Sequence, residues 1–576
     1  MKNGEIILGI HCGPHDSSAA LFRDYDLLAA IQLERLTRKK GDGNAFPDAC
    51  IDEALSIAGL TRQDVDAVIM SRMLFEARYC RRVPGIGERL ATMMRRSKGK
   101  YFRYVIGEID RTHSHDYAAM FDFDAFRRDY GFRPDTHIGF ANHHECHALP
   151  TLFYGGWQDA LLVTADGGGD KVNYSHRHFS NGKIKTIYGG NETDFLPKPV
   201  DSLGRAYSAA TLALGFRPNR HEGKLTGLAA FGNPVFYDKL ASFFDVDENG
   251  RVHSRFRGYT HMKRTMASLA KQGRREDVAA SIQKVVEDVM LRSVGTLLKR
   301  YPSRNLGLAG GLFANVKLNR LLAESFALDE IFVFPAMGDE GLTIGAALFH
   351  LLERDGMPAW LRQRRPLGPV LLGRDYTEAI DQSLAANPLV RLVSEDPLDT
   401  AADRLAAGEI GAIYTGRMEF GPRALGARSI LANPSRRDTH DVLNDRLSRT
   451  EFMPFAPVVM AEKAAEVFGV TPVNARACDY MTIATDVHEP WRKRIAAVVH
   501  VDGSARPQII RQADNPLYHG ILQRFEAKTG LPVLVNTSFN VHEEPIVNTP
   551  AECARALTDG RIDFVVTTKG VYQRVA

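Results

Sequence analysis

Two histidines four positions apart are the first side chains in this sequence that could hold a metal ion. His143 and His147 stand in the segment 142–148, which reads Asn-His-His-Glu-Cys-His-Ala. If this segment is helical, residues at i and i+4 project from one face about a turn apart, so both imidazoles can reach one cation. The alternative is a surface helix that carries three histidines, His144 included, without any metal.

A carboxylate follows at a suitable distance along the chain. Nineteen residues after His147, the apolar run 161–165 ends at Asp166 and three glycines. We interpret the run as a buried strand, and a carboxylate at such a glycine turn is typical of a site rather than of a core. Two histidines and a strand-end carboxylate can form an open metal site with room for a substrate oxygen, which favours the metal over the bare helix.

A second aspartate, Asp339, is the candidate for a fourth protein ligand. It follows the apolar segment 332–334 in a Gly-Asp-Glu-Gly turn, which predicts a second carboxylate at a strand-to-helix junction. Just before it, the segment 306–319 has the pattern strand, double glycine and helix, with the glycines at Gly310 and Gly311. A nucleoside can lie against backbone of this kind.

Anion-binding features accompany these residues in the first half of the chain. Residues 6–22 predict a β-hairpin whose small polar tip contains His15, and backbone N–H groups at such a tip can hold phosphate. Lys40 ends a run of four basic residues in six positions, which either meets an anion or forms a solvated face. Glu222 and Lys224 flank a glycine that allows close approach to the backbone.

Arginines in glycine-rich turns mark the second half of the sequence. Three of them, Arg417, Arg423 and Arg428, fall within twelve residues. Guanidinium groups bind phosphate oxygens bidentately and neighbouring glycines let the backbone contribute, so the pattern predicts a polyphosphate site rather than scattered surface arginines. Similar turns contain Arg449, Arg506, Asn536, Ser538 and Asn540. No histidine or cysteine cluster accompanies them, so a metal would arrive here with the nucleotide, as Mg²⁺.

The bulk composition limits what these residues can belong to. A chain of 576 residues is too long for one core, and the connector 364–369, rich in proline and glycine, predicts a boundary near residue 370. The net charge of +4 gives no support to a nucleic-acid-coating role. The six cysteines form no Cys-x-x-Cys pair, and the sequence shows neither a signal peptide nor eighteen consecutive apolar residues. We therefore expect a cytoplasmic protein that does not bind membranes.

Taken together, the motifs resemble those of the O-carbamoyltransferase family, which includes the tobramycin, cephamycin, novobiocin and Nod-factor carbamoyltransferases. The resemblance covers nearly the whole chain and rests on the segments 15–19, 34–40, 143–147, 222–224, 416–429 and 536–540. It implies an α/β protein in which residues 1–369 form a two-lobed domain of the actin and sugar-kinase (ASKHA) class. Residues 370–576 are expected to form a YrdC-like α/β domain that makes an acyl-adenylate.

The resemblance also implies chemistry in two steps. In the C-terminal domain, carbamoyl phosphate and ATP give carbamoyl-adenylate and pyrophosphate; in the N-terminal domain, a hydroxyl of the acceptor takes the carbamoyl group and AMP leaves. The implied metal is Fe²⁺, held by His143, His147, Asp166 and Asp339, although ligand type alone would also allow Zn²⁺ or Mn²⁺. His15 is the candidate general base and Lys40 is the candidate phosphate contact of the intermediate.

Two binding sites follow from this scheme. The N-terminal site for the nucleotide or the carbamoyl-adenylate is expected to include Gly167, Gly168, Glu222, Lys224, Gly310, Gly311 and Asn315. The C-terminal site for ATP and carbamoyl phosphate is expected to include Arg417, Arg423, Arg428, Arg449, Arg506, Asn536, Ser538 and Asn540. The chain departs from the family pattern where Leu447 and Met453 replace a lysine and an arginine, and Arg446 is the neighbour that could substitute.

Other functions were weighed against this one. A fused enzyme for tRNA threonylcarbamoylation is disfavoured because the chain has no aromatic and basic stripe for RNA. Hydrogenase-maturation carbamoyltransferases carry Cys-x-x-Cys motifs that are absent from this sequence. A non-catalytic nucleotide-binding regulator would not need the metal ligands and the arginine turns together. Residues 80–135 and 250–275 are expected to shape the acceptor pocket, while the acceptor's identity (sugar, aminoglycoside, polyketide or oligosaccharide) and the oligomeric state, a homodimer included, stay open.

Overall fold

The computed structural model describes residues 4–43, 46–72, 75–79, 81, 104–105, 117–170, 172–190, 201–449 and 452–575. Most of residues 80–116, and with them the larger part of the predicted acceptor segment 80–135, lie outside these residues. Among the residues described, no helix combines the length and the apolar character that a membrane span requires.

A five-stranded mixed sheet opens the chain. The strands of this region are β1 (Ile6–His11), β2 (Ser18–Arg23), β3 (Asp26–Gln32), β4 (Ala67–Met70), β5 (Phe75–Glu76), β6 (Tyr104–Val105) and β7 (His137–Phe140). The order across the sheet is β3-β2-β1-β4-β7; β1, β2 and β3 form an antiparallel meander, and β4 and β7 continue the sheet in parallel with β1. The hairpin of β1 and β2 confirms the predicted turn that carries His15.

A second five-stranded sheet repeats this plan. Its region contains β8 (Asp159–Gly169), β9 (Val172–Ser180), β10 (Lys183–Tyr188), β11 (Phe244–Val246), β12 (Val252–Ser254), β13 (Asn305–Ala309) and β14 (Glu330–Val333). The order β10-β9-β8-β13-β14 again places an antiparallel meander beside two parallel additions. The two sheets therefore share one strand order and one set of strand directions.

Helices cover these sheets and bring them together. They are α1 (Leu33–Thr37), α2 (Asp48–Ile57), α3 (Tyr117–Met120), α4 (Phe123–Asp129), α5 (His143–Gly155), α6 (Leu203–Ala213), α7 (Glu222–Ala229), α8 (Tyr237–Ala241), α9 (Tyr259–Ala270), α10 (Arg275–Arg300), α11 (Val316–Ser325) and α12 (Leu342–Arg362), the last interrupted at Gly356. Two glycines let α12 lie directly on its neighbours. A Cβ at Gly9 would stand 1.9 Å from the Thr343 carbonyl oxygen, and a Cβ at Gly345 would stand 1.9 Å from that of Cys146. This contact fixes α5 against β1.

The C-terminal half is built around an eight-stranded mixed sheet of order β16-β26-β25-β17-β19-β24-β20-β23. The strands from residue 370 onward are β15 (Leu371–Asp375), β16 (Val390–Ser394), β17 (Gly411–Tyr414), β18 (Arg417–Glu419), β19 (Arg428–Ala432), β20 (Ala456–Met460), β21 (Thr485–Asp486), β22 (Ser504–Ala505), β23 (Gln508–Ile510), β24 (Val533–Ser538), β25 (Phe564–Val566) and β26 (Val571–Arg574). The helices are α13 (Thr377–Ala385), α14 (Pro397–Ala406), α15 (Thr439–Arg446), α16 (Ala461–Val467), α17 (Ala475–Asp479), α18 (Glu489–Arg492), α19 (Pro516–Thr529) and α20 (Pro550–Thr558).

Arginines of each half bind backbone carbonyls of the other. Arg38 donates to the carbonyl oxygens of Ile546 at 2.8 Å and Pro545 at 2.7 Å. In the opposite direction, Arg417 donates to the Leu28 carbonyl at 2.7 Å. Because hydrogen bonds from charged donors contribute more than neutral ones, these contacts fix the two halves against each other.

Candidate metal centre and the pocket between the halves

The histidine pair stands at the beginning of α5, as the spacing predicted. The side chain of Asn142 accepts hydrogen bonds from the backbone N–H groups of His144 at 2.9 Å and Glu145 at 3.2 Å, and so caps the helix. The His143 N–H donates to an Asp170 carboxylate oxygen at 2.8 Å. The first turn of α5 is therefore held in place, with His143 and His147 one turn apart.

Two aspartates complete this cluster. Asp166 lies in β8, and Asp339 begins a 3-10 turn, Asp339–Gly341, beyond the end of β14. The Asp166 Oδ2 atom lies 3.2 Å from His147 Nε2 and 3.6 Å from His143 Nε2, and Asp339 Oδ1 lies 3.8 and 3.9 Å from the same two nitrogens. One ligand atom from each of the four residues falls within 4.8 Å of the others. The structure thus brings together the four residues that the sequence comparison implied as ligands.

Glycines make this close approach feasible. A Cβ at Gly169 would lie 2.3 Å from Cγ of the His143 ring. Gly310 has a φ of 99° and passes so close to β8 that a Cβ would lie 2.3 Å from the Ala165 carbonyl oxygen. A Cβ at Gly311 would lie 3.4 Å from Asp166 Oδ1. A side chain at either of the first two positions would displace a metal ligand or the strand that carries one.

Burial and mutual charge govern the protonation of this cluster. Burial lowers the pKa of His143, which favours the neutral imidazole that a metal requires. For His147, burial opposes protonation, but hydrogen bonds to Asp166 and Asp339 outweigh it and raise the pKa to about 9. Burial raises the pKa of both carboxyls, yet the neighbouring histidines more than offset this and hold both pKa values below the usual range.

The donor set fits a divalent transition metal. Two imidazoles and two carboxylates suit Fe²⁺, Mn²⁺ or Zn²⁺, and the separations of 3.2–3.9 Å are close to the roughly 3.3 Å expected between ligands about 2 Å from one ion. Neither ring nitrogen of the fully buried His143 has a hydrogen-bond partner among the residues described. An unpartnered buried nitrogen that faces two carboxylates is a group for which a cation would provide the missing contact.

Two further side chains reach Asp339 that the sequence reasoning did not select. His11 Nε2 lies 3.6 Å and Arg72 Nη1 lies 3.8 Å from Asp339 Oδ2. Burial lowers the pKa of His11 to about 3, so this imidazole is neutral near pH 7. The signal available in the sequence was its place at the end of β1, immediately before the glycine turn.

His15 lies on the hairpin tip beside this cluster. Its Nδ1 is 2.8 Å from Asp16 Oδ2. Burial opposes its protonation, but the hydrogen bond to Asp16 and the charges of Asp339 and Asp166 raise the pKa to about 9. In this state the imidazole carries a proton near neutral pH, whereas the predicted general-base role needs the neutral form.

A large open cavity lies between the two halves and is lined by residues of both. Its empty volume is about 1230 Å³, solvent at the mouth included. Three of the predicted C-terminal arginines line it, and the N-terminal half contributes basic groups as well; the basic lining residues are Lys40, Arg220, Lys224, Arg423, Arg449 and Arg506. Polar and apolar groups share the wall: Asn536, Ser538, Asn540, Met453, Phe455 and Met481. The pocket therefore offers cations for phosphate beside apolar surface.

Two predicted arginines, Arg417 and Arg428, bind groups of the protein itself. The guanidinium of Arg428 is fully buried, 3.7 Å from the centre of the Tyr414 ring, and donates to the Thr415 carbonyl at 2.6 Å. Arg417 donates to the carbonyls of Leu372 and Leu28, each at 2.7 Å. Neither arginine is among the residues that line the cavity.

Arg449 lines the cavity but also organises one of its walls. It donates to Thr537 Oγ1 at 2.8 Å, to the Ser538 carbonyl at 2.7 Å and to Asn540 Oδ1 at 2.7 Å. Asn536 donates to Gln508 Oε1 at 2.5 Å and is fully buried. These bonds hold the loop after β24 in shape, so the predicted segment 536–540 is placed at the cavity by Arg449.

The N-terminal nucleotide residues are distributed differently. Gly310 and Gly311 lie at the metal cluster, and Arg205 donates to the Gly167 carbonyl at 2.6 Å beside Gly168. The remaining members take structural contacts or face the cavity. Glu222 accepts from Ser208 Oγ and the Asn219 N–H, each at 2.8 Å, Asn315 caps α11, and Lys224 lines the cavity. The structure thus divides this predicted set between the pocket and the metal turn, the glycine segment 166–170 that begins at Asp166.

The positions that depart from the family pattern are apolar contacts. Leu447 is buried, and Met453 packs so tightly on α7 that a Cβ at Gly227 would lie 2.7 Å from Met453 Cγ. Arg446 does not line the cavity; its guanidinium pairs with Asp563 at 2.8 Å. Arg446 therefore does not take the place of the missing basic side chain.

A polar bridge at the rim of the cavity was not foreseen. His221 Nε2 lies 2.6 Å from Glu543 Oε1, Arg217 lies 3.4 Å from Oε2, and Glu543 has the left-handed φ of 62°. One ring nitrogen of His221, one of His542 and a carboxylate oxygen of Glu543 lie close enough together to bind one metal ion. However, the Arg217 N–H donates to His221 Nδ1 at 3.2 Å, which leaves the ring proton on Nε2 toward Glu543. The group is better described as a hydrogen-bonded bridge between the halves.

Two family models match this chain. The model described as Carbamoyltransferase N-terminus matches residues 6–348, and the model described as Carbamoyltransferase C-terminus matches residues 402–574. Nodulation protein NolNO of Sinorhizobium fredii is 31% identical over 96% of this chain and 78% of its own length. Nodulation protein NolO of Bradyrhizobium diazoefficiens is 34% identical over 74% of this chain and 77% of its own. An uncharacterized protein of Synechocystis is 31% identical over 99% and 97% of the two chains.

Solved structures resemble the chain only remotely. Component A of the (R)-2-hydroxyglutaryl-CoA dehydratase of Acidaminococcus fermentans is 14% identical, covers 61% of this chain and 99% of its own, and has a TM-score of 0.34. A ROK hexokinase of Thermus thermophilus is 14% identical over 60% and 97% of the two chains, with a TM-score of 0.30. At these values the likeness carries no argument about function.

Proposed function

Because the chain belongs to the carbamoyltransferase family, we propose that it is an ATP-dependent O-carbamoyltransferase that works through carbamoyl-adenylate. The observation that carries the proposal is the pairing of two chemically different places. One is the cluster of two histidines and two aspartates in the N-terminal half, and the other is the basic cavity between the halves. An activation step that handles polyphosphate and a transfer step that handles a neutral carbonyl need such different surroundings.

The first step belongs to the cavity. Water and carbamoyl phosphate give carbamate and phosphate; a carbamate oxygen then bonds to the α-phosphorus of ATP, and pyrophosphate leaves. Arg423, Arg506 and Lys224 supply positive charge for the phosphates, and Mg²⁺ is expected to accompany ATP. The apolar wall formed by Met453 and Phe455 suits the adenine ring.

The second step belongs to the metal cluster. The acceptor hydroxyl oxygen bonds to the carbamoyl carbon, the bond from this carbon to the AMP oxygen breaks, and the hydroxyl proton passes to His15 Nε2. A cation on Asp166 and Asp339 would offset the charges that raise the pKa of His15, and so would favour the neutral imidazole that this step needs. When bound, Fe²⁺ (or Zn²⁺ or Mn²⁺) would supply a Lewis acid for the developing negative charge. Lys40, on the cavity wall, is suited to hold the phosphate of the intermediate.

We assign the N-terminal half to the actin and sugar-kinase class of folds. Support comes from the two sheets of identical strand order, since a two-lobed fold of this class presents one such sheet in each lobe. The YrdC-like nature of the C-terminal half and the boundary at residue 369 rest on the family resemblance.

Release of pyrophosphate tests the proposal most directly. Purified protein supplied with ATP, Mg²⁺ and carbamoyl phosphate, without acceptor, is expected to release pyrophosphate in a carbamoyl-phosphate-dependent manner. Omission of carbamoyl phosphate is the control. If no pyrophosphate appears either alone or with a broad panel of hydroxyl acceptors, the adenylate chemistry is excluded.

Two variants test the separation of the steps. Arg423→Ala removes charge from the cavity, so we expect pyrophosphate release to fall by about tenfold or more, because a charged hydrogen bond contributes about 1.5–3 kcal/mol. His143→Ala is expected to abolish carbamoyl transfer while pyrophosphate release continues. His488→Ala, at an exposed position just before α18 that neither lines the cavity nor belongs to the cluster, is the matched control. Loss of both steps in His143→Ala would contradict the two-site assignment.

A further inference from the structure

A strongly basic stretch lies next to the metal turn, and the two proposed steps do not use it. Residues 251–275 contain six arginines and two lysines but no aspartate or glutamate. This single stretch carries eight positive charges in a chain whose net charge is +4. It forms β12, α9 and the approach to α10, all of which the structure describes.

Most charged side chains in this stretch lack an acidic partner. Arg255, Arg257 and Arg264 are exposed, Lys263 is half-buried, and none of the four forms an ion pair with a carboxylate of the described residues. Three aspartates that contact the stretch or lie on the strand paired with it have other partners. Asp247 accepts from His253 at 3.0 Å, Asp245 faces Arg292 at 3.8 Å, and Asp201 accepts the Ser254 N–H at 2.6 Å.

Helix α6 connects this basic stretch with the metal turn. Ser202, which caps α6, donates to the Asp166 carbonyl at 2.9 Å, and the Arg205 side chain donates to the Gly167 carbonyl at 2.6 Å. The same Arg205 guanidinium carbon lies 5.8 Å from the centre of the Tyr259 ring, and Lys263 Nζ lies 5.0 Å from it. Arg205 and Lys263 thus both lie close to the half-buried Tyr259 ring. Arg205 also binds Gly167, the residue next to the predicted metal ligand Asp166.

We propose that Arg205, Arg257, Tyr259 and Lys263 form the acceptor-binding surface, and that the acceptor carries a carboxylate or a phosphate near the hydroxyl that is carbamoylated. This inference rests on the proposed function, because it identifies the substrate class of the transfer site. Unpaired cations attract an anion and repel a cation, so a polycationic aminoglycoside is a poor fit. The Tyr259 face offers apolar contact area to a ring of the acceptor.

Nucleic acid is a weaker candidate for this surface. A groove for single-stranded RNA needs a row of aromatic side chains on which successive bases stack, and the stretch 251–275 exposes Tyr259 alone, since Phe256 is buried. A small anion beside one ring is the simpler match to what the surface presents.

Matched small sugars test the inference by binding, independently of turnover. The probes are methyl glucuronide and methyl glucoside 6-phosphate, both anionic, and neutral methyl glucoside, observed by saturation-transfer difference NMR. The wild-type protein is expected to give signals for the two anionic sugars that weaken as salt is raised from 50 to about 500 mM. Because an exposed charge pair changes affinity by about two- to fivefold, Arg257→Gln/Lys263→Gln should weaken these signals by roughly tenfold.

The control removes the same charge elsewhere in the stretch. Lys271→Gln/Arg274→Gln also deletes two positive charges, at positions beyond the far end of α9, and Lys271 lies about 12 Å along the helix axis from Lys263 by the rise of 1.5 Å per residue. Its signals are expected to match the wild type. Equal signals for neutral and anionic sugars, or equal losses in the two double variants, would overturn the inference. A short single-stranded RNA that suppressed the sugar signals stoichiometrically would overturn it as well.

Turnover separates this inference from the function on which it rests. With carbamoyl phosphate and ATP, the anionic sugars should be carbamoylated with kcat/KM at least about ten times that of methyl glucoside, and Arg257→Gln/Lys263→Gln should remove this preference. If the wild-type protein releases no pyrophosphate at all, the proposed function fails and the binding experiment alone decides the inference. If pyrophosphate is released and the neutral sugar is preferred, the function stands and the inference fails.

Discussion

At the scale of the residue, the candidate metal centre depends on the absence of a side chain at Gly169, because the imidazole of His143 fills the position that its Cβ would take. The His143 ring is fully buried and lies where a side chain on Gly169 would have to be. The neighbouring Gly167 has no atom within 4 Å of the position that its Cβ would take. A methyl group on Gly169 would therefore clash with the His143 ring, whereas a methyl group on Gly167 would meet no neighbouring atom.

This difference gives a matched pair of variants. We expect Gly169→Ala to push the His143 ring away from Asp166 and Asp339, and to weaken Co²⁺ or Fe²⁺ binding by about 10- to 100-fold, the range seen when groups that orient metal ligands are lost. Gly167→Ala should bind the metal as the wild type does. Equilibrium dialysis with metal analysis measures both. Equal affinity in the two variants would show that His143 does not reach the cation.

The same scale shows why some residues could be predicted and others could not. His143, His147 and Asp166 follow local rules of spacing and strand ends, and the structure brings them together with Asp339. The partners of Arg417 and Arg428 are backbone carbonyls, one of them at Leu28, 389 residues away. A guanidinium that binds phosphate and one that binds carbonyls have the same sequence signature, a turn rich in glycine, because both need open backbone around them.

At the scale of the element, the start of α5 decides where the two histidines stand. Pattern reasoning predicted this helix from the spacing of two histidines, the hairpin of β1 and β2 from its small polar turn, and a strand from the apolar run before Asp166. The strand is longer than predicted, because β8 continues past Asp166 to Gly169. The strand order could not be predicted from period alone, since β8 pairs with β13 across more than 140 residues. The hydrophobic period cannot show which strands pair, and it is this pairing that places Gly310 opposite Ala165, next to Asp166.

Removal of the helix cap tests this positioning. In Asn142→Ala the N–H groups of His144 and Glu145 lose their acceptor, so the first turn, which carries His143, should be destabilised by about 1 kcal/mol. We expect a lower melting temperature and weaker metal binding. Asn142→Ser keeps a capping oxygen and should retain both. A variant that loses the cap but binds metal with unchanged affinity would show that Asp170 alone fixes the turn.

At the scale of the whole molecule, the cavity is lined by residues from both halves of the chain. Lys40 and Lys224 come from one half, and Arg423 and Arg506 come from the other. Sequence reasoning assigned the basic residues to one site in each half, since nothing in a linear pattern shows that both sets face one space. A pocket assembled in this way depends on the contacts that hold the halves together, which include the bridge from His221 to Glu543.

The pH dependence of that bridge is the test at this scale. Burial raises the pKa of Glu543, but the hydrogen bond from His221 and the nearby charges, including that of Lys40, together outweigh burial and set the folded pKa below the ordinary value, which is about 4.3 in the unfolded chain. Its contribution to stability is therefore present above about pH 4.3 and is lost as the pH falls through the folded pKa. Because the carboxylate is one-third exposed, we expect Glu543→Gln to cost less than about 1 kcal/mol at pH 7 and to lower the melting temperature by about 1–2 °C.

This difference from the wild type should shrink steadily below pH 4.3, since both proteins then carry a neutral side chain at this position. Glutamine retains the left-handed backbone strain of the site, so the comparison isolates the charge. Glu544→Gln, in the same loop but exposed, is the control and should melt with the wild type at every pH. A melting difference for Glu543→Gln that does not change between pH 7 and pH 3.5 would mean that shape, and not the hydrogen bond from His221 to the charged carboxylate, joins the two halves at the rim of the pocket.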